Sequence, residues 1–419
     1  MQRDRFTVIL SVLAVAAVIL AVVAAAGAGS GQKPTEQVLH TFAGGADGAL
    51  PQAGLVFDGA GNLYGTTQAG GTACKSPGCG TVFELTPQGG GNWTQTILYG
   101  FSGGKDSNGP TASLVLDASG NLYGTTANGG TKTYGTVFQL KPQGGGVWTE
   151  KVLHSFDVDG TDGIEPSAAV TLDATGNVYG ITPYGGANGY GAIFELAKST
   201  WAETILYSFK GGSDGANPAG GLVFDSSGKL YGATGGGSVD NFGNVFELVL
   251  QAGGAWKERV MHNYGRKGSL GAGLTTLTLD AAGNVYGAAA FGGAHNVTGG
   301  YGAIVEVSKK AGGGWSNTVL FSFNKKSGGA FRPNGPLLLD AAGSLYGTTE
   351  YGGSKAAGTV FKLTQTQPGQ WSESILYTFT GGSDGANPYG GLVMDASGNL
   401  YGTTKNGGSG SGVVFEITQ

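Results

Sequence analysis

Charge is scarce in this chain. Asp, Glu, Lys and Arg make up 12% of its residues, against roughly 25% in ordinary soluble domains. With Gly-rich, Thr-rich and aromatic-bearing sequence, so little Lys or Glu reads as many short strands joined by tight turns. Basic runs are absent and the formal net charge is −5. Nucleic acid is therefore excluded as the main partner, because phosphate binding needs clustered Lys and Arg. Cysteine is confined to Cys74 and Cys79, too few for a disulfide-knit scaffold. The four histidines share no order with Ser and Asp that suggests a triad, and no carboxylate pair stands out from the background. No catalytic residue, metal site or cofactor is expected. Collagen is excluded as well, since the 84 glycines show no three-residue period.

One phrase recurs seven times. It begins at Asp58 (DGAGNLYGTT), Asp117, Asp173, Asp225, Asp280, Asp340 and Asp395 (DASGNLYGTT), at spacings of 52 to 60 residues. Each repeat reads as four strands: an apolar strand a, the Leu-Tyr-Gly-Thr-Thr strand b, a Gly-Thr-Val-Phe-Glu-Leu strand c, and a strand d from Trp to Phe. β-Branched and aromatic residues punctuated by glycine favour strands over helices. The Asp and Gly of Asp-Ala-Ser-Gly suit a type I turn closed by a left-handed Gly. The strand-b glycine (Gly65, Gly124, Gly180, Gly232, Gly287, Gly347, Gly402) is expected to make room for an aromatic ring from the adjacent blade.

The two ends are complementary. The chain stops after a strand c, Val413 to Thr418, and begins with a segment, Glu36 to Phe42, that matches strand d. The expected fold is therefore all-β: a seven-bladed β-propeller of four-stranded antiparallel blades, its ring closed 3+1 by the N-terminal strand completing the last blade. Closure protects strand edges.

Residues 35–419 are assigned to the propeller, 27–34 to a linker, and 1–26 to a signal peptide or N-terminal membrane anchor. Arg3 and Arg5 precede an uncharged run, Phe6 to Ala26, that is expected to form a hydrophobic helix. Both readings of that run export the rest of the chain to the periplasm, cell surface or medium, and membrane contact is expected through this segment alone. In an exported protein Cys74 and Cys79, in one loop as Cys-x4-Cys, are expected to form a local disulfide.

The segments GG-[LVM]-x-[FM]-D, NLYGTT, GTVFEL and W-x-E-x-[IV]-L-Y-x-F resemble the bacterial GloVer tandem-repeat family over nearly the whole chain after Thr35. The resemblance implies an exported propeller-like protein and carries no settled activity. No sorting segment follows Gln419, so any anchor is expected at the N-terminus.

Variable loops on a rigid scaffold are where function concentrates. The b–c and d–a connections are expected to share one face of the ring. The aromatics there are Tyr134, Tyr184, Tyr190, Phe242, Phe291, Tyr301 and Tyr351, with His295 alone in its loop. They are the candidate ligand-binding set, for stacking on a sugar, although packing at strand ends explains the recurrent position of Tyr134, Tyr190, Phe242 and Tyr301. The d–a loops read Asp-Gly-x-x-Pro from Asp47, Asp162, Asp214 and Asp384, with a relative at Asp106. An Asx turn stiffened by Pro is the reading adopted over Ca2+, because the fifth repeat lacks the Asp. His40, His154 and His262 occupy one strand-d position and are read as packing variants. The strand-c glutamates are read as solvated or paired edge charges. The leading expectation is a monomeric binding or scaffold module for an unknown protein or glycan. A carbohydrate-active propeller and a structural surface component are the alternatives.

Overall fold

The computed structural model describes residues 33–238, 240–265, 272–293, 300–324 and 329–419. The N-terminal hydrophobic run and His295 lie outside them. Among the described residues no helix is long and apolar enough to cross a membrane.

Seven antiparallel sheets follow the seven repeats. Blade 1 is Val56–Phe57, Leu63–Thr67, Thr81–Gly89 and Asn92–Gly100. Blade 4 is Ala216–Phe224, Leu230–Gly236, Asn244–Leu250 and Trp256–Asn263. Blade 5 is Ala272–Leu279, Val285–Phe291, Ala303–Lys309 and Trp315–Ser322, and blade 6 is Phe331–Leu339, Leu345–Tyr351, Thr359–Gln367 and Gln370–Thr378. Strand a is the irregular one. Its pairing with strand b shifts between Ala219 and Val223, and between Asn334 and Leu338. In blade 7 it breaks into Ala386–Pro388 and Val393–Met394.

The ring closes as expected. Thr35–Thr41 pairs antiparallel with Val413–Thr418, from Thr35 opposite Thr418 to Thr41 opposite Val413. Phe42 N–H continues to Gly412 O at 3.0 Å, and Thr403 Oγ1 donates to Ala53 O of blade 1 at 2.8 Å. Strand-b threonines Thr66 and Thr125 bond the next blade's strand a in the same way.

The a–b turn has the expected chemistry. Asp58 Oδ1 accepts from Ala60 N and Asn62 N at 2.8 and 2.9 Å, and Gly61 adopts φ 86°. Tyr64 Oη then bonds Asp58 Oδ2 at 3.1 Å and Glu84 Oε1 at 2.9 Å. Of the strand-c glutamates, Glu84 and Glu416 are thus paired to a tyrosine, and Glu247 is buried beside Arg259. Glu84, Glu195, Glu306 and Glu416 stay half-buried, and only Glu247 is fully buried.

The core lies between blades, in seven apolar clusters that each span a junction. The strand-b glycine is explained by a ring of its own blade, which corrects the expectation of one from the neighbour. A Cβ on Gly124 would sit 2.5 Å from Phe138 Cζ, directly across in strand c. That phenylalanine then meets the last aromatic of the preceding blade edge-on. Phe42–Phe83, Phe101–Phe138 and Phe379–Phe415 have centroids 5.2, 5.1 and 5.0 Å apart. Each such pair contributes about 0.5–1.5 kcal/mol beyond its buried area. Blade 5 departs: Val305 replaces the phenylalanine, and Tyr264 of blade 4 replaces its partner.

Candidate functional site

The b–c and d–a connections do share a face, because they pair with each other. Ala49 N–H bonds Ala69 O at 2.8 Å, Ser107 pairs with Gly129, and Gly163 pairs with Gly185. In the d–a loops the carboxylate bonds backward along the chain, not two residues ahead as an Asx turn would. Asp47, Asp106, Asp214 and Asp384 each accept the N–H four residues back, at 2.6–2.7 Å. Cys74 and Cys79 are disulfide-bonded on this face, with Cα atoms 5.6 Å apart.

The residue before the d–a proline has an unusual backbone. Leu50, Glu165, Asn217, Arg332 and Asn387 all have φ between 53° and 61°. Such non-glycine residues cost on the order of 1–3 kcal/mol each and persist where surroundings hold them. The holding contact is the previous blade: Glu165 N–H bonds Tyr134 O at 2.8 Å, Asn217 N–H bonds Tyr190 O at 2.9 Å, and Arg332 N–H bonds Tyr301 O at 2.9 Å. The side chains that follow ring an axial cavity of about 370 Å³, built from all seven blades. Its wall is mostly small: Ala53, Ser113, Ala169, Gly221 and Gly391. Tyr389 is the one aromatic among its described lining residues.

Polar and aromatic groups gather on one side of that mouth. Arg332 Cζ lies 5.2 Å from the Phe291 ring centre and 5.5 Å from that of Tyr351. Tyr351 stacks on Phe331 at 5.6 Å, and Tyr301 meets Phe331 at 5.9 Å. Glu350 Oε2 sits 3.7 Å from Arg332 Nη1 and accepts Asn334 Nδ2 at 3.3 Å. Arg332 Nε is buried with no hydrogen-bond partner among the described residues. Contact with Glu350 raises the Tyr351 phenol. Burial, then Glu350, raises that of Tyr389.

The structure therefore splits the sequence-derived set. Phe291, Tyr301 and Tyr351 converge around Arg332. Tyr184 and Tyr190, both 46% exposed, lie on the b–c connection of blade 3, apart from Arg332. Tyr134 and Phe242 pack against interblade clusters. Sequence reading missed Arg332, Asn334, Glu350 and Tyr389. Their signal was departure from the repeat: Tyr389 stands where Gln52, Thr111 and Ser167 stand in other blades.

A second constellation lies between blades 2 and 3. His154 Nε2 is 3.2 Å from Asp162 Oδ2 and 3.6 Å from Glu203 Oε2, and three ligand atoms fall within 4.8 Å of one another. These are the described residues that offer three donors to a metal ion. Burial opposes charging of His154, but its bond to Asp162 and the nearby Glu203 outweigh this and raise its pKa. Burial, opposed by His154 but reinforced by Asp162, raises Glu203. His40, His154 and His262 also pack edge-on against Phe42, Phe156 and Tyr264, as the sequence suggested.

These features define a closed seven-bladed propeller with an unevenly furnished axial mouth. The chain belongs to the Gloeobacter/Verrucomicrobia repeat family, whose model matches residues 28–158, 73–297 and 259–419. No curated protein matches it. Among solved structures it is similar to the extracellular domain of a one-component system from B. thetaiotaomicron. That match has 12% identity, covers 92% of this chain and 41% of the other, and has a TM-score of 0.56. A protein described as a gluconolactonase matches at 12% identity over 82% of this chain and 93% of its own, with a TM-score of 0.41. A gluconolactonase from Xanthomonas campestris matches at 12% identity over 75% and 86%, with a TM-score of 0.42. Likeness at such identity concerns the fold alone.

Proposed function

We propose that this is the binding module of an exported protein, without catalytic activity, and that its ligand seats at the axial mouth beside blades 5 to 7. The observation that carries this reading is Arg332. It is held at φ 57° between two aromatic rings, with a buried Nε that finds no hydrogen-bond partner among the described residues. Strain and an unpaired buried donor both cost stability, and the two together mark a site shaped for a ligand. Aromatic faces, an arginine, a carboxylate and an asparagine amide in one recess suit a hydroxyl-rich ligand such as a glycan. The rings stack on apolar sugar faces while the polar groups read hydroxyls.

A glycan array tests this, with wild type beside Arg332→Gly and Tyr351→Ala. The expected result is selective glycan binding that falls by at least about tenfold in either variant. Unchanged binding in both variants would contradict this siting. Silence of wild type on the array, and in a polysaccharide degradation assay, would remove the carbohydrate reading.

A further inference from the structure

The opposite face, which carries the a–b and c–d turns, holds a second recess of about 230 Å³ between blades 4 and 5. In a chain poor in cations, four line it: Lys229, Arg259, Lys309 and Lys310. Each arises from a departure from the repeat. Lys229 replaces the turn asparagine of five repeats (Asn62, for example), and Arg259 stands where Thr96, Thr204 and Thr318 stand elsewhere. Lys309 occupies the place of Gln365 in blade 6. Lys309 Nζ is held over the Trp315 ring, 5.3 Å from its centroid. The indole thus positions a charge that would otherwise sample solvent.

The floor carries the opposite demand. Glu247 is 4% exposed and lines the recess. Its Oε1 meets Arg259 Nη1 at 3.3 Å, but its Oε2 is buried with no hydrogen-bond partner among the described residues. Four cations ask for a negative ligand, and a buried carboxylate oxygen asks for a donor on that same ligand. An inorganic anion meets the first demand only. A sugar acid meets both, its carboxylate facing the lysines and a hydroxyl donating to Glu247. The volume is below the roughly 300–1,000 Å³ of pockets that enclose drug-sized ligands, so one sugar ring or a chain end fits. We infer that this recess is a subsite for a uronate residue of an acidic saccharide, separate from the axial mouth.

Titration calorimetry of the full chain with trigalacturonate tests the inference, with cellotriose and inorganic phosphate as comparison ligands. Trigalacturonate should bind, more weakly as salt rises, and better than either comparison ligand. The double variant Lys229→Asn/Lys309→Gln restores residues other repeats carry. It should melt like wild type and lose at least about tenfold in affinity, since charge-assisted hydrogen bonds are the strong ones. Arg332→Gly should leave this binding intact, which separates the subsite from the axial mouth. The inference is overturned by an absence of heat with trigalacturonate, by phosphate or cellotriose binding as tightly, or by undiminished affinity in the double variant.

Discussion

Tyr264 Oη donates to Asn317 Oδ1 at 3.1 Å across the junction of blades 4 and 5. Six other junctions bury a phenylalanine where Tyr264 stands, and strand-d glutamates or a glutamine where Asn317 stands. Val305, smaller than the usual phenylalanine, accompanies both changes. Tyr264→Phe should cost about 1–3 kcal/mol, because Asn317 Oδ1 then loses its donor beside an Nδ2 that already has no partner among the described residues. Tyr264→Phe/Asn317→Leu should cost less than the two single changes summed. Chemical denaturation of the three variants measures the coupling.

The strand-b glycine yields a graded prediction. Gly124→Ala places Cβ 2.5 Å from Phe138 Cζ in a packed core, and overpacking of this kind costs about 1–3 kcal/mol. At Gly287, where strand c carries Val305, the nearest atom is Leu274 Cδ2 at 2.9 Å. Gly287→Ala should therefore be the milder change. Melting temperatures of the two variants check the order.

Stability should fall as pH rises through neutrality. Burial pushes Glu150 up to about 7, with Asp106 adding to it. Burial also raises Glu36 to about 7 beside Asp384, Glu258 to about 7 beside Asp214, and Glu373 to about 7. A carboxyl whose folded pKa is raised binds its proton more tightly when folded. Its contribution is full below the unfolded value near 4.5 and is lost as pH climbs to about 7. Asp58, Asp117 and Asp225 act oppositely. Burial opposes their charging, but turn hydrogen bonds outweigh it and lower their pKa. Their contribution is lost as pH falls below the usual aspartate range. A scan of melting temperature against pH should peak near pH 4–5, and Glu150→Gln/Glu373→Gln should flatten its alkaline limb.

Arg332→Gly should separate stability from binding. Glycine adopts φ 57° without strain, and relief of strain at such a position offsets part of what the lost ring contacts contributed. The melting temperature should stay within a few degrees of wild type while ligand affinity drops. A large fall in melting temperature would assign Arg332 to structure.

How much of this was legible depends on whether a residue repeats. Asp58 and Gly61 announce a turn because the phrase returns seven times with one chemistry. Phe42 announces ring closure because its segment matches Phe156 and its neighbours. The breaks in strand a were hidden: a Gly-Gly pair such as Gly220-Gly221 reads the same whether the strand bends or runs straight. The partner of Gly124 was misplaced because sequence shows that room is needed, not which ring fills it. Arg332, Glu350 and Tyr389 were passed over because they occur once, and a site built from exceptions is averaged away when repeats are compared. The interblade carboxyl pairs were hidden for another reason: Glu150 and Asp106 lie 44 positions apart and meet only once two blades pack.

The account rests on Thr35–Thr41 completing the last blade, and thermal unfolding of a chain lacking residues 35–42 tests it most directly. Without that strand, Val413–Thr418 loses its outer partner and Phe83 loses the ring of Phe42. The truncated chain should aggregate or melt far below the full one. Melting at the full chain's temperature as a soluble monomer would contradict the closed ring.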